Sequence, residues 1–332
     1  MINTDSWIIS PQARNRMSRF AAWFILACWL GVVSTAATEA PAHAQSEADR
    51  AAPEVTLSAV EVETGGTLYV QIDCRRLPAA CRDLRLTFFD QGVVVFPHPA
   101  KGPAVQAGLV GIPLTAPPGK ALLTVEWGAG AQRLARKVPF EIRQGRYGEE
   151  TLTVDPRHVR PGPKDLERIR REQEELKRIY ASGSRSQLWQ GAFQIPVPGE
   201  MNGPFGTRRV FNGELQSHHT GTDFRAQTGD PVHAAAAGVV RLTKDLFYSG
   251  NAVIIDHGYG LLSLCGHLST VEVAAGAQVA RGQIVATSGA TGLAGGDHLH
   301  LEIFVHGQSV DPLEWLDGKW IEDNLGTKLA LA

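Results

Sequence analysis

The chain is poor in the features that would mark several common classes. Its four cysteines form no C-x-x-C pair and no other thiol-rich spacing, which excludes a cysteine-built metal site. Charge of one sign is lacking: 32 Lys and Arg face 34 Asp and Glu, for a net −2. Nothing in that balance calls for nucleic acid or an anionic membrane as partner. Internal repeats and low-complexity tracts are absent. The one sustained apolar run, Phe20 to Val33, is short for a membrane span.

That run reads instead as the core of an export signal. Arg14, Arg16 and Arg19 supply a basic start, and Ala42-His43-Ala44 an A-x-A cleavage site, so residues 1–44 are expected to be a signal peptide. A start at Met17 would give a more compact signal; an uncleaved anchor or a lipoprotein through Cys28 are the weaker alternatives. No stable membrane span is expected after cleavage. Export would allow Cys74 and Cys81 to close a short loop, leaving Cys265 as a buried small hydrophobe.

A length of 332 residues with 43% hydrophobic and 20% charged residues suits about two soluble domains. From Pro53 to Ile142, β-rich runs such as VTLSAVEV, GTLYVQI and ALLTVEW alternate with Gly- and Pro-containing breaks. Runs at this spacing predict an Ig-like β-sandwich over residues 45–150. His98, alone in a Pro-rich stretch, reads as a solvated loop residue. A connector, 151–187, holds one more strand near Thr151–Val154 and a charged helix over Lys164–Ala181. In that helix Leu166, Ile169, Leu176 and Tyr180 recur at helical spacing. Residues 188–332 return to short strands, including PVHAAAAGVVRLT, AVIIDHG, LLSLCGHL, QIVATSG and HLHLEIFVHG, with a short tail. The fold class is therefore mainly β, with an N-terminal sandwich, a linker helix and a C-terminal antiparallel sheet whose histidines line one groove.

Eight of the eleven histidines lie between His218 and His306. In extended chain, alternate residues share a face. HHTGTDF would then turn His219, Gly221 and Asp223 one way, and DHLHLE would turn His298, His300 and Glu302 one way. A catalytic zinc takes three ligands from His, Asp, Glu or Cys and leaves a position for water. His219, Asp223 and one histidine of the H-x-H pair satisfy that count, and spacing alone does not choose between His298 and His300. His233, His257 and His306 read as structural, and His218 faces away from its neighbour.

The pattern HxxxD, a later histidine, and then HxH resembles that of the lysostaphin-type, or LytM-like, zinc metallopeptidases. The likeness runs from about Asn202 to Leu316 through GPFGTRRVFNGE, GDPVHAAAAGVV, GNAVIIDHGYG, GHLS and SGATGLAGGDHLHLEIFVHGQSVDP. A looser likeness links AGLVGIPL and LTVDP to the accessory domain that precedes many exported members. The resemblance implies one zinc ion held by His219, Asp223 and His300, with His267 and His298 as catalytic histidines. It implies hydrolysis of peptide cross-links or stems in peptidoglycan, and a periplasmic or envelope location. Two departures stand out. Cys265 replaces a tyrosine that many members carry, and Asp297 stands where proline is common. Because some relatives of this family only regulate other wall hydrolases, a regulatory protein partner fits too. Two alternatives stay open: a non-hydrolytic wall-binding or regulatory protein, and a zinc peptidase acting on secreted proteins.

Overall fold

The computed structural model describes residues 52–76, 83–99, 101–128 and 133–325. The expected signal segment and Cys81 lie outside them; Cys74 is disulfide-bonded, while Cys265 is free and buried. No helix among the described residues is long and apolar enough to cross a membrane.

The protein is mainly β. In the first part of the chain, strands Glu54–Leu57, Thr67–Asp73, Gly102–Gly111 and Val95–His98 form one sheet in that order. A second sheet runs Glu61–Glu63, Leu134–Arg143, Gly119–Trp127, Arg85–Phe88 and Gln91–Val93. The two-residue period of a strand decides what each face does. Leu68, Val70 and Ile72 join Leu86, Leu123, Val125 and Ile142 in a core between these sheets. Tyr69, between them in sequence, points the other way. Together with Phe96, Ala107 and Leu109 it enters the larger core of the C-terminal half. His98 ends its strand buried, its ring edge-on to Tyr69, and not as a solvated loop residue. The strand's other apolar residues draw it inward, and desolvation lowers its pKa.

The C-terminal half holds a ten-stranded sheet with antiparallel pairings and two strands of a separate three-stranded sheet, Arg208–Phe211 and Glu214–His218. The main path of the ten-stranded sheet runs Met201–Gly203, Thr222–Arg225, His298–Val305, Leu261–Val271, Gly250–Gly258, Gly238–Leu246 and Gln278–Val279. The segment PVHAAAAGVVRLT is two strands, Pro231–His233 and Gly238–Leu246, not one. Pro196 and Gln194 take the backbone bonds of His233 and Ala235, which ends the ladder between the strands. On His298–Val305, Leu299, Leu301, Ile303 and Val305 enter the large core. The opposite face carries His298, His300, Glu302 and Phe304.

A helix, Pro163–Ala181, lies against that opposite face. Pro163 sits at its first turn, where a missing N–H costs nothing. Leu176, Ile179 and Tyr180 pack on Leu242, Leu264 and Phe304, with the Tyr180 and Phe304 rings 4.6 Å apart. Burying such side chains is worth up to about 1.5–3 kcal/mol each, against a few tenths for an exposed i,i+4 ion pair. Apolar contact therefore docks the helix. Arg168 to Asp245 (3.1 Å) and Glu172 to the Phe247 N–H (2.9 Å) fix its register. Earlier in the chain, the strand Glu149–Leu152 pairs in parallel with Arg208–Phe211, so it adds a strand to the three-stranded sheet of the C-terminal half.

Trp315 anchors the junction of the two halves. It is fully buried, edge-on to Trp189 at 5.6 Å, and its Nε1 donates to Thr67 Oγ1 at 3.3 Å. The helix that holds it, Pro312–Leu316, is followed by a second, Gly318–Leu325, which buries Ile321 and Leu325. Beside Trp315, Glu314 Oε2 accepts from the Thr67 N–H at 2.9 Å. Desolvation, reinforced by the nearby Asp311 and Glu63 charges, pushes the Glu314 carboxyl up to about 8. A raised folded-state pKa contributes stability that is complete below the unfolded value and is lost as pH rises through about 8. Wild-type protein should therefore lose several degrees of melting temperature between pH 6 and pH 9, and Glu314→Gln markedly less. Parallel pH profiles for the two proteins in a thermal melt would show that this carboxyl does not titrate there.

Candidate metal centre

Asp223 and His300 are direct cross-strand partners, so their side chains leave the sheet on the same face. His219 is not on that strand. It lies just before it, in a turn whose backbone is held by His219 N to Thr207 O (2.7 Å) and Gly206 N to His219 O (2.8 Å). The turn brings His219 to Asp223 in place of strand alternation. Gly221 makes this possible: a Cβ there would lie 2.4 Å from Leu301 O and 2.5 Å from His300 Cε1.

Three atoms converge. His219 Nε2 lies 3.0 Å from Asp223 Oδ1, His300 Nδ1 lies 2.8 Å from the same oxygen, and the two nitrogens are 3.1 Å apart. All three residues are buried. His219 Nδ1 lies 3.0 Å from Pro204 O, which can only accept, so that nitrogen carries the proton. Burial lowers the His219 pKa, so its neutral ring aims an Nε2 lone pair at a carboxylate oxygen. Two acceptors facing each other call for a cation between them. The other groups agree. Burial opposes charge on His300, but its bonds to Asp223 and Glu302 outweigh that and raise it to about 9. Burial likewise opposes charge on Asp223, and the two imidazoles outweigh it, holding the carboxyl well below its usual range. Two imidazoles and one carboxylate are a donor set suited to zinc. The residues fit such an ion.

Two further imidazoles flank the cluster. His298 Nδ1 donates to Gly296 O at 2.8 Å, leaving Nε2 3.7 Å from Asp223 Oδ1. His267 Nδ1 donates to Thr291 O at 2.8 Å, and its ring centroid is 4.6 Å from that of His298 and 5.7 Å from that of His300. His267 adopts φ 59°, a left-handed conformation that is costly for a residue with a Cβ. Its N–H bond to Ser249 O (2.7 Å) holds it there. Glu302 backs His300, with Oε2 3.6 Å from Nε2, and accepts from Ser309 Oγ at 2.5 Å.

The remaining histidines lie elsewhere. His233 bonds Pro196 O, His257 bonds Ala237 O and Ser263 Oγ, and His306 packs over Gly260. Cys265 faces the large core and not the cluster; burial pushes its thiol up to about 12. Asp297 Oδ2 accepts from the Thr228 N–H at 3.1 Å, tying a neighbouring loop to the H-x-H strand. Arg208 pairs with Glu149 at 3.4 Å. Its neighbour Arg209, which no sequence pattern marks out, reaches Asp223 Oδ2 at 3.0 Å. A cavity of about 150 Å³ adjoins the cluster, walled by Glu302 on the sheet, by Thr220 and Ser249 in the turns next to it, and by Glu172, Leu176 and Tyr180 on the helix.

Residues 217–312 match peptidase family M23, which supports a LytM-like peptidase domain over that stretch. Over 96 residues, 29% of this chain and 22% of the relative, it is 42% identical to the peptidoglycan DD-endopeptidase ShyA of Vibrio cholerae. Over 125 residues, 37% of this chain and 29% of the relative, it is 38% identical to the DD-carboxypeptidase/endopeptidase Mpg of Neisseria meningitidis. The matches thus span less than a third of either relative. A solved M23 peptidase structure from Pseudomonas aeruginosa superposes with a TM-score of 0.57 at 29% identity, covering 76% of this chain and 94% of that one.

Desolvation, with the charges of His300 and His298 adding to it, depresses the His267 pKa to about 3. In metal-free protein its ring should stay neutral, in the Nδ1–H form, down to about pH 4. Two-bond ¹H–¹⁵N spectra would show this directly; a titration midpoint near that of free imidazole would contradict it.

Proposed function

We propose that the protein is an exported zinc metalloendopeptidase that cuts peptide cross-links or stems of bacterial peptidoglycan. The observation that carries this reading is the meeting of His219 Nε2, Asp223 Oδ1 and His300 Nδ1, 2.8–3.1 Å from one another, beside two more imidazoles. The endopeptidase activities for which the relatives ShyA and Mpg are named support the substrate class. In this reading His219, Asp223 and His300 hold one zinc ion per chain, residues 1–44 direct export, and the protein works in the periplasm or envelope. Residues 45–150 are an Ig-like accessory sandwich, 151–187 a linker with its helix, and 188–332 the peptidase domain.

Bound zinc would lower the pKa of a coordinated water to about 7 and polarise the scissile carbonyl. The protein's own part is proton handling. His267 and His298 each spend Nδ1–H on a carbonyl, so each has Nε2 free as an acceptor. One takes a proton from the attacking water at Nε2. Once charged, it can donate to the developing oxyanion or return the proton to the departing amine. With the ring centroids 4.6 Å apart, positive charge on both imidazoles at once would be repulsive.

One observation favours a second, non-hydrolytic role in wall binding or in regulation with a protein partner. The helix Pro163–Ala181 lies on the same sheet face as His300 and Glu302 and walls the adjoining cavity. Incubation with purified peptidoglycan separates the readings. Hydrolysis should release soluble fragments, stop with a chelator and resume with zinc. Intact sacculi at every zinc concentration would favour the non-hydrolytic role. His300→Ala should lose both metal and turnover, whereas His267→Ala and His298→Ala should keep zinc and slow by about 10²–10⁴-fold. Zinc retained by His300→Ala but lost by His298→Ala would reverse the assignment.

A further inference from the structure

The Asp223 carboxylate is divided between two partners. Oδ1 faces His219 and His300, while Oδ2 lies 3.0 Å from Arg209 Nη2. Arg209 is itself held: its Nε donates to Glu150 Oε1 at 2.6 Å. Glu150 and Arg209 are register partners in the parallel pair formed by Glu149–Leu152 and Arg208–Phe211. The bond is therefore set by strand pairing and not by two surface side chains meeting in solvent. Side-chain exposures of 21% for Arg209 and 9% for Asp223 place the guanidinium–carboxylate contact away from bulk water. On its other side Asp223 meets Gly203, where an added Cβ would lie 2.6 Å from Oδ2. The carboxylate is clamped between a backbone and a planar cation.

We propose that Arg209 is a positioning residue for Asp223, and that the connector strand, through Glu150, is part of the metal centre. This rests on the reading of His219, Asp223 and His300 as metal ligands. Arg209 occupies Oδ2 and so presents Oδ1 alone to the imidazoles. A guanidinium suits this because its rigid fork reaches two carboxylates at once. Its positive charge alone would weaken a cation site. Glu150 cancels that charge, so Asp223, Arg209 and Glu150 together keep the single negative charge of the aspartate. Both residues lie before the stretch 217–312 that matches the family, Glu150 on the strand that leads into the connector and Arg209 near the start of the C-terminal half.

The test measures zinc affinity of the full chain by competition with a chromogenic chelator, alongside the melting temperature of the metal-free protein. Groups behind a metal ligand typically change affinity about 10–100-fold when removed. Arg209→Met and Glu150→Gln should each weaken zinc binding by about tenfold or more, with metal-free melting close to wild type. The double variant should bind no more weakly than Arg209→Met, because Glu150 acts through the arginine. Arg209→Lys, which keeps the charge but not the fork, should recover part of the loss, and it carries the test if Arg209→Met fails to fold. Either single variant binding within twofold of wild type, or additive losses in the double variant, would overturn the proposal. Wild-type protein that binds no zinc would instead overturn the metal reading on which it rests.

Discussion

The pairing of Asp223 with His300 across two antiparallel strands is the contact on which the site depends. It turns a carboxylate and an imidazole to one side of the sheet with no choice of rotamer needed to bring them near. His219 completes the cluster from a turn that closes only because Gly221 has no side chain. The result is a buried His219 Nε2 held 3.0 Å from Asp223 Oδ1, with His300 Nδ1 2.8 Å from the same oxygen. Burying such polar groups is costly unless they are paired. A divalent cation bound among them would add its binding energy to folding.

Strand alternation carries this outward to the rest of the molecule. One face of the His298–Val305 strand enters a core that also holds Trp189, Trp315 and, from the first part of the chain, Tyr69 and Phe96. The histidine face is thereby supported from behind by both halves. Phe96 stacks on Tyr259 with ring centroids 3.8 Å apart, and Trp315 bonds Thr67, so the halves share packing as well as polar contacts. The same face carries the half-buried His298, close to the buried His267, and is covered farther along by the helix Pro163–Ala181. The His267 backbone is held in a left-handed conformation, which persists only where the surroundings fix it.

The mainly β character and the H-x-H face were legible because a period of two survives in the sequence whatever the sheet does with the strand. The grouping of His219 with Asp223 was legible, but for the wrong local reason. Alternation cannot tell a strand from a turn that returns to the same point, and only the Gly221 contacts reveal the difference. His98 was misread because a proline-rich stretch looks solvated until its partner Tyr69 is known. Glu150 and Arg209 could not be found at all. Parallel pairing of a connector strand with a distant segment leaves no trace in local pattern, and the charge on Arg209 looks like that of any surface arginine.

In the proposed metal centre one zinc ion sits among three named atoms. Anomalous diffraction at the zinc edge, on crystals of the zinc-loaded chain, tests it most directly. A single strong peak is expected between His219 Nε2, Asp223 Oδ1 and His300 Nδ1, within about 2.0–2.2 Å of each. A peak placed elsewhere, or no peak at saturating zinc, would contradict the account.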